Sequence, residues 1–319
     1  MCLYPKFIDN RKYKANKKNG GVIPAVIDKR VLVVPVGCGK CIECKRQKSK
    51  NWSVRLQEEL KNNVKGYFVT LTMSDKSIEE LREDIKLEGY ELDNEIAKKA
   101  TRRFLERWRK KYKKSVKHWL VTELGHKGTE NIHMHGIIWT DKPAEEIKNI
   151  WKYGYVWIGE YVNEKTINYI VKYITKTDIK HENYNSKVLC SPGIGKKYTD
   201  RLESKNNKFK GKDTIETYRC RNGAKIALPI YYRNKIYSEE EREKLWLQKL
   251  DEEKRYILGM EIDISKNEDS YYKILNEARM KNKRLGYGND EKDWDKIRYE
   301  RERRNKLYKE RQERNLAKR

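Results

Sequence analysis

The sequence predicts an α+β fold, with a central antiparallel sheet of about five strands flanked by helices and a helical C-terminal extension. Three observations carry this. Short runs of aromatic and β-branched residues, such as Gly66-Tyr-Phe-Val-Thr-Leu-Thr-Met73 and Asn131-Ile-His-Met-His-Gly-Ile-Ile-Trp139, read as strands. Between such runs lie longer segments whose apolar residues recur at the helical spacing. The runs ending at Leu124 and starting at Asn131 are separated only by a turn around Gly125-His-Lys-Gly128, so they should pair as an antiparallel hairpin.

Taken in order, residues 22–36 read as two short strands joined at Asp28-Lys29. They lead into Cys38-Gly-Lys-Cys41-Ile-Glu-Cys44, a thiol spacing found in zinc and iron–sulfur sites and seldom used for disulfides inside cells. Position 48, where a ferredoxin run would place its fourth cysteine, is Lys. Cys38, Cys41 and Cys44 are therefore either free thiols or part of a structural Zn²⁺ site completed by Cys2, Cys190 or Cys220. The basic run Lys45 to Lys50 enters a helix with Trp52, Leu56 and Leu60 on one edge, and it either contacts phosphate or is a solvated face.

Residues 66–73 form a central strand, and residues 94–114 a long helix with the apolar line Ile96, Ala100, Phe104, Trp108 and Tyr112. Around that line, residues 98–117 hold eleven Lys/Arg against the single acid Glu106. Like charges at this density repel unless neutralised, which favours nucleic-acid backbone contact by Arg102, Arg103, Arg109, Lys110 and Lys113. Residues 115–124 are the next strand, 142–151 a short helix with Pro143 in its first turn, and 153–159 another strand. The helix 164–176 buries Ile167, Ile170, Val171 and Ile174 on one face, leaving Tyr169 and Tyr173 one turn apart on the other beside Lys172 and Lys176. Ser191-Pro-Gly-Ile-Gly-Lys-Lys197 is a turn whose amides are either exposed to phosphate or simply structural. Residues 236–295 are helical in pattern, with Ser238 as an N-cap; residues 296–319 are a DNA-holding helix or a frayed basic tail. The chain divides into residues 1–65, 66–235 and 236–319.

Among 319 residues, 74 Lys/Arg oppose 48 Asp/Glu for a net charge of +26, and residues 1–235 hold +23 of it. Such an excess points to a polyanion, with phosphate backbones the usual kind. No apolar run approaches the length of a membrane span, and Met1-Cys-Leu-Tyr-Pro-Lys-Phe has no signal-peptide apolar region, so a cytoplasmic protein without a membrane partner is expected.

The chemistry centres on His133 and His135. Alternate residues of a strand share a face, so the two imidazoles project together as a solvated pair or as metal ligands. Glu123, across the hairpin turn, can complete a two-histidine, one-carboxylate set suited to Mg²⁺, Mn²⁺ or Zn²⁺ with positions left open for a substrate oxygen.

This order of parts resembles the HUH endonuclease superfamily of rolling-circle initiators and relaxases: strand, acid before a turn, His-hydrophobe-His strand, then a helix with two tyrosines and lysines. It is more closely similar to the replication initiators of the microviruses, in their gokushovirus branch, through the Cys38–Cys44 run, Tyr169-Ile-Val-Lys-Tyr-Ile-Thr-Lys176 and Ser191-Pro-Gly-Ile-Gly195. The resemblance covers roughly residues 1–235. It implies an HUH/RRM-like core, His133, His135 and Glu123 as ligands of Mg²⁺ or Mn²⁺, and Tyr169 and Tyr173 as nucleophiles assisted by Lys172 or Lys176. It further implies a metal-dependent, sequence-specific nickase and ligase acting on a single-stranded DNA origin in the host bacterial cytoplasm, with a host helicase and polymerase as partners. Two other readings use the same residues: a non-enzymatic basic single-stranded DNA- or RNA-binding protein with a zinc knuckle, and a hydrolytic metal-dependent nuclease.

Overall fold

The computed structural model describes residues 2–289 apart from 64, 127, 128, 160, 178, 179, 182 and 183, together with 309, 313, 316 and 317. The basic C-terminal end expected to be a helix or frayed tail thus falls almost wholly outside the described residues. In chain order the strands are β1 (Lys6–Asp9), β2 (Val33–Val36), β3 (Tyr67–Leu71), β4 (Lys117–Leu124), β5 (Ile132–Trp139), β6 (Val156–Gly159), β7 (Val188–Cys190), β8 (Thr217–Arg219), β9 (Lys225–Ala227), β10 (Lys254–Ile257) and β11 (Met260–Asp263). The helices are α1 (Ile42–Leu60), α2 (Asp75–Arg82), α3 (Gly89–Tyr112), α4 (Ala144–Trp151), α5 (Glu164–Ile170), α6 (Lys172–Thr175), α7 (Ile230–Ile236), α8 (Glu239–Asp251) and α9 (Asp269–Arg284). Two compact units result: Trp52–Lys197, and Met1–Asn51 with Tyr198–Asp290.

The unit Trp52–Lys197 is built on the expected five-stranded antiparallel sheet, in the order β6-β3-β5-β4-β7. The strand β5 lies at its centre, and β3 sits between β5 and β6 with Val69 and Leu71 wholly buried. Alternation along β4 and β5 sends Leu120, Leu124, Ile132, Met134 and Ile138 to one face. There they pack on Leu92, Ile96, Ala100, Phe104 and Trp108 of α3, the apolar line read from the sequence. On the opposite face, Trp119, Val121, Ile137 and Trp139 pack on Leu56 of α1 and on Ile167, Ile170, Val171 and Ile174.

Three local expectations need correction within this unit. Helix α3 begins at Gly89 rather than near 94, and α2 and the edge strand β7 carry no periodicity long enough to be read. The helix 164–176 is interrupted: the Val171 N–H is shared between the Ile167 and Tyr169 carbonyls, ending α5, and α6 starts at Lys172. The Ser191–Lys197 turn does not offer its Gly195 amide to phosphate, since that N–H donates to Glu59 Oε2 at 2.7 Å and Arg55 Nε donates to the Ile194 carbonyl.

In the other unit, Leu3, Cys41, Ile42, Ile257, Ile262, Leu275 and Ala278 form a small core. The strand expected at residues 22–27 does not form. Val22, Ile23, Val26 and Ile27 are exposed, Pro24 lacks an amide donor, and β2 pairs instead with β1 in the register Lys6↔Val36 to Asp9↔Val33. The segment 236–295 is not wholly helical, because the β10–β11 hairpin separates α8 from α9. Ser238 does cap α8 in a reciprocal box with Glu241, as its sequence indicates.

Candidate metal and nucleophile site

Strand pairing sets the first half of the site. In the β4–β5 ladder Glu123 is directly opposite His133, and Val121 is opposite His135, so all three polar side chains project from one face at the end of the hairpin. Glu123 Oε2 lies 3.2 Å from His133 Nε2 and 3.0 Å from His135 Nε2. Ligands about 2.1 Å from an ion and about 90–109° apart are separated by about 3.0–3.4 Å, so these spacings are those of a preformed coordination edge.

Hydrogen bonding behind the rings supports that geometry. His133 Nδ1 is 3.2 Å from the Asn131 carbonyl, which can only accept, so the proton belongs on Nδ1 and Nε2 carries the lone pair. His135 Nδ1 is 3.0 Å from Thr70 Oγ1, on the neighbouring strand β3. Two imidazole nitrogens and a carboxylate then converge, an acceptor-rich set that requires a proton or a cation among them. The three residues fit a divalent ion and could hold one.

Charges around the set are consistent with that role. Burial alone would raise the Glu123 carboxyl, but hydrogen bonds from His133, His135 and Lys176 hold it well below the usual carboxylate range. Burial lowers the His135 imidazole despite the opposing bond to Glu123, which keeps it neutral near pH 7. Lys176 Nζ also pairs with Glu123 Oε1 and lies 3.0 Å from His126 Nε2.

The α5–α6 segment brings in the second half. With its aliphatic face buried against the sheet, Tyr169 and Tyr173 face the histidines, and their hydroxyls are 2.7 Å apart, with Tyr173 donating. The Tyr173 ring stacks on His135 at 4.2 Å between centroids and 9° between planes. Phe68 of β3 stacks on the far side of His135 and meets Tyr169 edge-on. Burial, the hydrogen bond with Tyr169 and the Glu123 charge push the Tyr173 phenol up, so its reactivity requires a positive charge beside it. Tyr169 is 48% exposed.

The other candidates are distributed differently. Lys172 is exposed on the same segment, whereas Arg102, Arg109, Lys110 and Lys113 are exposed and Arg103 half-buried on α3, which covers the sheet face opposite the histidines. The basic helix and the metal-type site therefore do not form one patch. Sequence reasoning missed Thr70, Phe68 and His126. Thr70 and Phe68 share one face of a strand that the sequence does indicate, but their neighbours depend on β3 pairing with β5 across 65 residues. The fourth sulfur beside Cys38, Cys41 and Cys44 is Cys2, whereas Cys190 and Cys220 lie elsewhere.

A strand-borne His-x-His beside a carboxylate, faced by a helical tyrosine pair on an antiparallel sheet, defines a replication-associated protein of the single-stranded DNA phages. Residues 66–178, which carry all of these groups, belong to the replication-associated protein ORF2 family. The chain is also similar to the replication-associated protein ORF2 of Spiroplasma virus 4, a microvirus: the two are 26% identical, and the match covers 76% of this chain and 86% of that relative. No solved structure matches the chain.

Proposed function

We propose that this protein initiates rolling-circle replication by nicking and rejoining single-stranded DNA at an origin. The observation that carries this reading is the placement of Tyr173 on His135, with the Tyr169 hydroxyl in contact, beside the Glu123–His133–His135 set. His133, His135 and Glu123 would hold Mg²⁺ or Mn²⁺. Bound there, the ion supplies Lewis acidity toward the non-bridging oxygens of the scissile phosphate.

The chain's own groups do the rest. Thr70 and the Asn131 carbonyl fix the imidazole planes, and Lys176, released from Glu123, is placed to favour the phenolate. The tyrosine Oη forms a bond to phosphorus as the bond to the 3′-oxygen breaks. The tyrosine proton is lost to solvent or a lysine, and the leaving oxygen takes one up. The products are a 5′-phosphotyrosyl ester and a free 3′-OH that a host polymerase can extend with a host helicase ahead of it. One phosphoester replaces another, so rejoining needs no ATP. Two tyrosines within hydrogen-bonding reach let one retain the strand while the other cuts, a cycle set in the host bacterial cytoplasm. No helix among the described residues is long and apolar enough to cross a membrane.

Incubating the protein with an end-labelled single-stranded origin oligonucleotide and Mn²⁺ or Mg²⁺ tests this. A covalent adduct is expected that persists in either Tyr169→Phe or Tyr173→Phe and disappears in the double variant. Cleavage without an adduct would replace the proposal with a hydrolytic nuclease, and binding without cleavage with a non-enzymatic protein.

A further inference from the structure

We propose that Cys2, Cys38, Cys41 and Cys44 form a closed, structural Zn²⁺ site that fastens the N-terminal residues to the start of α1 and to α9. The four sulfurs all lie within 4.8 Å of one another. Cys2 Sγ is 3.9 Å from Cys41 Sγ, and Cys38 Sγ is 4.0 Å from Cys44 Sγ. Four thiolates about 2.3 Å from one Zn²⁺ in a tetrahedron are separated by about 3.8 Å. Disulfide sulfurs would be only about 2.05 Å apart. A [4Fe–4S] cluster, in which each thiolate binds a different iron, would spread the sulfurs wider than they are, so a single ion fits best.

The surrounding backbone is shaped for thiolates. Cys2 Sγ accepts from the N–H of Tyr4 at 3.3 Å and of Cys38 at 3.2 Å, and Cys38 Sγ accepts from the N–H of Cys41 at 3.3 Å. Amide donors directed at sulfur stabilise the charged form and orient the ligand. The tight Cys38–Cys41 turn passes through Gly39 at φ +76°, and a Cβ on Gly37 would sit 3.1 Å from Cys44 Sγ. With four protein ligands the tetrahedron has no open position, so the ion is structural rather than catalytic.

Such an ion would reinforce its unit. The core around Leu3, Cys41, Ile42, Ile257, Ile262, Leu275 and Ala278 is small, and small cores are commonly strengthened by a metal. Asn282 Oδ1 of α9 accepts from the Ile42 N–H at 2.8 Å, and Arg279 Nε donates to the Leu3 carbonyl at 3.0 Å. Both bonds are made by residues next to zinc ligands, so one ion would hold three segments that are distant in sequence.

The test is metal analysis of the full-length protein purified under reducing conditions without chelators. A variant carrying Glu123→Gln, His133→Ala and His135→Ala removes the other metal-type site. About one equivalent of zinc should remain in that variant, fall below a tenth in Cys2→Ser, and stay unchanged in Cys190→Ser and Cys220→Ser. Should Cys2→Ser misfold, Co²⁺ substitution of the chain with Cys2 intact gives an independent readout. Strong near-ultraviolet thiolate-to-cobalt absorption and intense visible tetrahedral bands are expected. Zinc lost with the histidine variant, iron in place of zinc, or cobalt without the thiolate band would each overturn the assignment. The result is independent of whether the protein nicks DNA.

Discussion

Thr70 Oγ1, 3.0 Å from His135 Nδ1, is the side chain on which the orientation of that imidazole rests. Thr70→Val keeps the shape and removes the hydroxyl. Mn²⁺ affinity of the protein, followed by titration calorimetry, should then fall about 10- to 100-fold with DNA binding unchanged. His135→Ala should abolish nicking in a gel assay while leaving most DNA affinity, because the positive charge lies elsewhere; parallel loss of both would remove its metal role. Proton competition follows from the same ring. Burial holds His135 below its ordinary value, so the neutral form persists further into acid. Mn²⁺ affinity should therefore be flat from pH 8 to about 6.5, the ordinary histidine value. Below that it should decline as protons displace the ion. An affinity that rises as pH falls would contradict ligation by the imidazole.

At the scale of elements, the β4–β5 hairpin carries the site, and its closest approach is at Gly136. A Cβ there would lie 2.0 Å from the Trp119 carbonyl and 2.8 Å from the Leu120 Cα, which are backbone atoms that cannot step aside. Gly136→Ala should cost about 1–3 kcal/mol or more in urea unfolding and disturb His135 next to it. This hairpin was legible in the sequence because strand alternation and a short turn together put Glu123 opposite His133. The β10–β11 hairpin was not. Its turn passes through Leu258 at φ +51° and Gly259 at φ +91°, a two-residue turn in which leucine stands where asparagine or glycine would announce it. The break at Val171 was hidden for a different reason: the aliphatic periodicity runs on through α5 and α6, and the packing keeps one face despite the shared hydrogen bond. Cys2 could not be singled out from Cys190 and Cys220 because its partners are more than 35 residues away, a distance only the tertiary fold closes.

For the whole molecule, the +26 charge separates affinity from chemistry. The exposed cations of α3 lie across the sheet from the histidines, so they can hold phosphates without entering the reaction. Replacing Arg102, Arg109, Lys110 and Lys113 with Ala should weaken single-stranded DNA binding for all sequences. The slope of log affinity against log salt should shrink by about 0.7 for each phosphate that is no longer neutralised. Adduct formation at saturating DNA should persist; an unchanged slope would place the footprint elsewhere. That helix was readable as basic and amphipathic, but its side of the sheet was not, because the side depends on which residues of β4 and β5 point toward it.

The central position of β5 bears on the order of folding. Glu123 and His133 are ten residues apart and meet through one hairpin, the kind of structure that closes in about 1–10 μs. Thr70 joins from 65 residues away, and Lys176 reaches Glu123 across 53. The cation-holding half is thus encoded almost locally, while the attacking half must await long-range assembly. During refolding, ion capture should precede the burial of Tyr173, so a nascent chain would acquire its ligand before it can cut.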